Sequence, residues 1–203
     1  MARRVNLTEL RAMAAEARAQ IWDDARQMGR EPKIYLHWTA GRYDTDFDDY
    51  HVCIHGDGSI YVTTEDLSET LAHTWRRNSG SIGVTLDCAY GANTKDLGDC
   101  PPTSEQIEAM AQVITALADA LWLTIDKPHV MTHGEAADCE DGLELHEHYG
   151  PRTTCERWDL EFLDTDESPE FNPWATDGSR GGDVLRGKAN WYREKEKNHE
   201  QMD

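Results

Sequence analysis

Lys33-Ile34-Tyr35-Leu36-His37-Trp38, followed by Thr39-Ala40-Gly41, is the stretch that decides the fold. Six β-prone, mostly apolar residues read as a buried strand, and Thr39-Ala40-Gly41 reads as the turn that ends it. Upstream, residues 7–29 read as a helix: Leu10, Met13, Ala14, Ala17, Ile21 and Ala25 recur at helical spacing, Asn6 or Thr8 supplies the cap, and Gly29 the stop. Downstream, an acidic loop runs from Asp44 to Asp49. Tyr50–Ile54 and Ser59–Thr63 then flank Gly56-Asp57-Gly58 as a hairpin. Ser81–Leu86 is a further strand, Ser104–Leu123 an amphipathic helix capped by Thr103 or Ser104, and His129–Thr132 a short strand leading into His133. Leu160–Leu163 starts a turn or last helix. Residues 168–182 look like a Pro/Gly-rich linker and Val184–Lys197 like a short helix. The expectation is an α/β fold with a mixed central sheet of about five strands flanked by helices. Its parts would be an N-terminal helix over 1–30, a catalytic domain over 31–165, and a linker with a helical tail over 166–203.

Composition narrows the function. With 38% hydrophobic and 29% charged residues, the 203-residue chain can bury one sizeable core. No apolar run approaches the roughly 20 residues of a bilayer span, so no transmembrane segment is expected. Twenty basic against 39 acidic residues give a net charge of −19, which argues against nucleic acid as a partner, since phosphate binding needs clustered Lys and Arg. The five cysteines have no regular spacing and no CxxC pair, which fits a reduced compartment. Met1-Ala2-Arg3-Arg4 is not followed by a signal-peptide core, so synthesis in the cytoplasm is expected.

Nine histidines are many for this length. His37 ends one buried strand and His133 follows another, so two imidazoles at neighbouring strand ends would share a cleft beside a loop rich in Asp and Cys. Zinc favours such ligands. His133-x-Glu135 also matches part of the zinc-deaminase pattern, but the downstream Pro-Cys-x-x-Cys is missing, which excludes that reading.

Four blocks in order carry a resemblance: Leu36-His37-Trp38-Thr39-Ala40-Gly41; Asp49-Tyr50-His51-Val52 with Asp57-Gly58-Ser59-Ile60-Tyr61; His73-Thr74-Trp75 with Asn78-Ser79-Gly80-Ser81-Ile82-Gly83-Val84; and Thr132-His133-Gly134-Glu135-Ala136-Ala137. Across residues 33–163 the chain resembles the type-2 N-acetylmuramoyl-L-alanine amidases, which include phage endolysins and peptidoglycan-recognition proteins. The resemblance implies one Zn2+ per chain, held by His37, His133 and a third ligand. Asp159, two positions after Arg157, is the first candidate, Cys155 the rival, and His146 or His148 a further choice. It implies hydrolysis of the amide between N-acetylmuramic acid and L-alanine, with Tyr50 orienting water and Arg157 stabilising the developing oxyanion. His73 is implied at the cleft rim, as a substrate contact or a plain surface residue. Trp38 and Trp75 can stack on sugar or peptide, with core or rim packing as the plainer reading. Many members carry a Glu base where this chain has Thr85. Glu135 reads as a surface or supporting residue, His51 as a structural hydrogen-bonder, and Trp158 as core.

The implied biology is a phage or prophage endolysin that waits inside the cell and acts on the host wall once the membrane is permeabilised. The alternatives are a peptidoglycan-binding module that does not cut, or a cytoplasmic muropeptide-recycling amidase. The basic residues of the tail, with Trp191 and Tyr192, allow a weak envelope contact; a packed or frayed terminal helix is the plainer reading.

Overall fold

The computed structural model describes residues 2–141 and 158–200. Its elements run β1 (Arg3–Val5), α1 (Leu7–Gln27), β2 (Lys33–Trp38), β3 (Val52–Ile54), β4 (Ile60–Val62), β5 (Ser81–Leu86), α2 (Ser104–Leu121), β6 (Val130–Thr132), α3 (His133–Ala137) and α4 (Gly181–Glu200). The strands form one mixed sheet in the order β1-β4-β3-β5-β2-β6. β1, β4 and β3 pair antiparallel, while β3, β5, β2 and β6 run parallel. The sheet therefore has six strands rather than about five. The extra one, Arg3-Arg4-Val5, pairs with the far side of the hairpin, and only its Val5 is buried. Such a segment has no apolar run by which to announce itself.

Strand alternation divides the sheet into two faces, and this division creates the site. Ile34, Leu36 and Trp38 of β2, Val52 and Ile54 of β3, and Ile82, Val84 and Leu86 of β5 join one core with Leu10, Ala14 and Ile21 of α1 and Met110, Ile114 and Leu117 of α2. The intervening residues Tyr35, His37, Cys53, Gly83 and Thr85 point to the other face. All six β5 residues are buried, as expected where parallel strands are covered on both sides.

The helices start and stop for local reasons. Asn6 and Glu9 close a capping box on α1, and Thr103 and Gln106 close one on α2; each cap contributes about 1 kcal/mol. α1 ends at Gln27, and Gly29 takes the left-handed φ of +70° that lets the chain reverse. The C-terminal segment, read as linker and tail, carries the 20-residue helix α4, which packs on α2 and contacts β6. Leu185 and Ala189 are fully buried in the main core. The thin apolar face of α4 is thus spent on the domain, while Trp191 stays 54% exposed.

Candidate metal centre and cleft

β2 and β6 lie side by side with Leu36 opposite Thr132, so the next residues, His37 and His133, leave the sheet as neighbours. Their ring centroids are 4.9 Å apart. His133 is not a strand residue. It is the first residue of α3, where Thr132 is the N-cap: Thr132 Oγ1 accepts from Glu135 N at 3.1 Å, and Thr132 N donates to Glu135 Oε2 at 2.9 Å. The capping box turns the chain sharply and fixes the His133 backbone at that turn.

Asp159 reaches the same point from the far end of the chain. Its neighbour Trp158 is buried and packs edge-to-face on Trp38 with centroids 5.1 Å apart. Asp159 Oδ2 lies 3.2 Å from His37 Nδ1, and Oδ1 lies 3.5 Å from His133 Nδ1. All three ligand atoms fall within 4.8 Å of one another, and all three residues are buried. Donor atoms around a tetrahedral zinc with bonds of about 2.0–2.1 Å sit roughly 3.3–3.4 Å apart, so these separations suit one ion. Asp159 Oδ1 is buried and has no hydrogen bond, a costly state that a cation would relieve. Burial lowers the His37 pKa to about 4, keeping the ring neutral as a metal ligand must be. Burial pushes the Asp159 carboxyl up, but the His133 and His37 imidazoles outweigh it and hold the carboxyl below its ordinary value. Two imidazole nitrogens and one carboxylate form a donor set that zinc accepts.

Behind His37 stands a polar chain. His37 Nε2 is 3.3 Å from Thr74 Oγ1, which is 2.9 Å from His73 Nδ1. Thr74 N donates to Asn78 Oδ1 at 2.7 Å and holds that segment in place. His73, which the resemblance places at the rim, is only 5% exposed and lines the cleft as a buried residue. It lies so close over β5 that a Cβ on Gly83 would come within 2.6 Å of its ring; this is the packing reason for glycine there. His51 accepts from Gly83 N at 3.0 Å through Nδ1 and donates to Glu69 O at 2.8 Å through Nε2, a structural role as expected.

The cleft above these residues has a volume of about 490 Å3. Phe47, Tyr50, Trp75 and Asn78 are among the residues that line it. The Tyr50 ring centroid is 5.0 Å from that of His37. Trp38 lines the cleft but is 2% exposed, so it is a wall of the cleft more than a free stacking surface; Trp75, 41% exposed, offers an accessible ring. Thr85, opposite His37 in the β2–β5 register, is buried and donates to Leu86 O at 3.3 Å. Arg157 and the rival ligands Cys155, His146 and His148 lie outside the described residues.

The sequence reading missed two features near this site. Thr74 went unassigned as the link between His37 and His73. Glu135, read as surface or supporting, is 1% exposed and forms a two-pronged ion pair with Arg186 of α4 at 2.7 and 2.8 Å.

The chain matches the family model of N-acetylmuramoyl-L-alanine amidases over residues 15–157. It belongs to this type-2 amidase family. The match covers His37, Tyr50, His73 and His133 and stops two residues short of Asp159. Family membership supports, at that level, either peptidoglycan amidase activity or peptidoglycan recognition. Among solved structures, the chain is similar to the Ph2119 endolysin from Thermus scotoductus MAT2119 bacteriophage Ph2119, at 20% identity over 51% of this chain and 72% of that one, TM-score 0.39. It is also similar to wild-type Drosophila PGRP-LB, at 20% identity over 54% and 72%, TM-score 0.40. No curated protein matches the chain. Among the described residues, no helix of this amidase-family chain is long and apolar enough to cross a membrane.

Proposed function

We propose that the protein is a zinc-dependent peptidoglycan hydrolase that cleaves the amide between N-acetylmuramic acid and L-alanine. The observation that carries this reading is the convergence of His37, His133 and Asp159, of which His133 lines the cleft, with one buried carboxylate oxygen lacking a hydrogen bond. These three residues would hold the ion. Zinc supplies acidification of water and polarisation of a carbonyl to amide hydrolysis.

The chain's own residues do the rest. Thr74 and the capping box of α3 hold the two imidazoles in orientation, which is the task of groups behind a metal ligand. Tyr50 stands over His37, where its phenol Oη orients the attacking water and shares its proton. Arg157, adjacent in sequence to Trp158-Asp159, is proposed to stabilise negative charge on the scissile carbonyl oxygen. A guanidinium keeps its proton, so it serves there as a donor and not as a general acid. Trp75 and His73 contact the substrate from the lining of the cleft. The biological setting that fits is a phage or prophage endolysin acting on the host wall after membrane permeabilisation.

A second reading, a recognition module that binds peptidoglycan without cutting it, is favoured by one observation: Thr85 puts no carboxylate base opposite His37. The test is to measure zinc bound by the wild type and by Asp159→Ala, and to follow turbidity of outer-membrane-stripped cells with and without chelator. Zinc lost in Asp159→Ala, together with chelator-sensitive clearing, supports the hydrolase. Zinc bound at that site while walls survive supports the binder.

A further inference from the structure

The next pair of strand ends carries a second cluster. β3 and β5 are parallel with Ile54 opposite Leu86, so His55 and Asp87 leave the sheet side by side. Asp87 N donates to Ile54 O at 2.9 Å. The Gln106 amide of α2 donates to Ile54 O at 2.9 Å and to Asp87 O at 3.0 Å, which locks both strand ends. His55 Nε2 lies 2.9 Å from Asp46 Oδ1 and 3.4 Å from Asp87 Oδ2. The ligand atoms of all three residues fall within 4.8 Å of one another. The imidazole is stacked on Tyr61 with centroids 4.0 Å apart and rings 18° from parallel.

Asp87 makes the cluster more than a group of acids. Its side chain has no exposed surface, yet neither carboxylate oxygen has a hydrogen bond. Among the described residues no Lys or Arg pairs with it; its ion-pair contact is His55. A buried polar group left in this state costs about 1–3 kcal/mol, and more when charged. Burial, with Asp46 and Asp44 nearby, pushes its carboxyl up to about 9. On the opposite side of the cluster the Asp46 side chain is 30% exposed, which leaves an entry path for an ion.

We propose that Asp46, His55 and Asp87 form a second divalent-cation site, distinct from the His37–His133–Asp159 centre. One imidazole nitrogen and two carboxylates suit Zn2+ or Mn2+; Ca2+ takes 6–8 oxygens. The ion gives Asp87 its missing partner. It also ties Asp46, and with it the loop between β2 and β3, to the ends of β3 and β5. That loop carries Phe47 and Tyr50 to the cleft wall, so the site is a structural brace for that wall.

The experiment counts metal on chelator-stripped protein dialysed against micromolar Zn2+, and separately Mn2+. Wild type is expected to hold two ions per chain, His37→Ala one, Asp46→Asn/His55→Gln one, and the three changes together none. Neither Asp46 nor His55 is fully buried, and both changes leave the buried Asp87 itself in place; thermal melts confirm that each variant folds. In the His37→Ala background, Zn2+ should raise Tm, and adding Asp46→Asn/His55→Gln should abolish that rise. A wild type that holds a single ion, lost in His37→Ala, overturns the proposal, as do two ions retained in Asp46→Asn/His55→Gln. One ion retained in wild type and lost only in Asp46→Asn/His55→Gln upholds this site and overturns the catalytic centre instead.

Discussion

Replacing Arg186 with Met should be among the most damaging single changes in the protein, although Arg186 lies in α4 and touches neither cleft nor ligand. Arg186 Nη1 donates to Glu135 Oε2 at 2.8 Å and to Val130 O at 3.0 Å, and Nη2 donates to Glu135 Oε1 at 2.7 Å and Asp183 Oδ1 at 2.6 Å. Glu135 is 1% exposed. Without the guanidinium the nearest remaining cation among the described residues is Lys127, whose Nζ is 3.7 Å from Oε1. Removing one partner of a buried ion pair costs about 3–5 kcal/mol. For a chain of this size that corresponds to a drop in Tm of about 6–20 °C. Glu135→Gln in the same background removes the stranded charge but keeps an amide oxygen to accept from Thr132 N. The double variant Glu135→Gln/Arg186→Met should therefore recover at least about 1.5 kcal/mol, the worth of a hydrogen bond to a charged group. Urea unfolding of metal-stripped protein, followed by tryptophan fluorescence, measures each step while excluding the folding energy of bound metal. An Arg186→Met variant within about 1 kcal/mol of wild type, or a double variant no more stable than the single, would refute the argument that this pair anchors α3.

Other outcomes follow from the same geometry. Asp159→Ala should lose the ion at the His37–His133 centre together with activity, while Cys155→Ala keeps both; the opposite pattern in metal analysis would make Cys155 the third ligand. Arg157→Ala should keep its metal and lower kcat, and an unchanged rate would remove Arg157 from the mechanism. Gly83→Ala places a methyl group within 2.6 Å of the His73 ring, so overpacking of about 1–3 kcal/mol should appear as a lowered Tm; a melt identical to wild type would mean His73 is loosely held.

Much of this architecture can be read from the sequence where burial and periodicity agree. Ser81–Leu86 is read residue for residue because every position is buried and Ile82, Val84 and Thr85 are strand formers. α1 and α2 are legible from their caps and apolar stripes. β1 is not, because two of its three residues are exposed arginines whose strand character comes only from pairing with β4. The sequence places His133 correctly at a strand end but does not show that it opens a helix, although Thr132-x-x-Glu135 is a capping-box pattern that could have done so. Pairings between distant segments are the least legible. Glu135 meets Arg186 across 51 positions; His55 and Asp87 meet because β3 and β5 are neighbours in the sheet, and Asp46 joins them from the loop between β2 and β3. Neither grouping has a local spacing to betray it.

The most direct test is to digest purified peptidoglycan with the zinc-loaded protein and assay two kinds of new end group. Cleavage of the muramoyl–alanine amide frees the amino group of L-alanine and leaves the glycan strands intact. The account predicts a rise in alanine amino termini with no new reducing sugar ends, abolished by chelator, restored by Zn2+, and absent in Asp159→Ala. New reducing ends, or amino termini that continue to appear in the chelated protein and in Asp159→Ala, would contradict it.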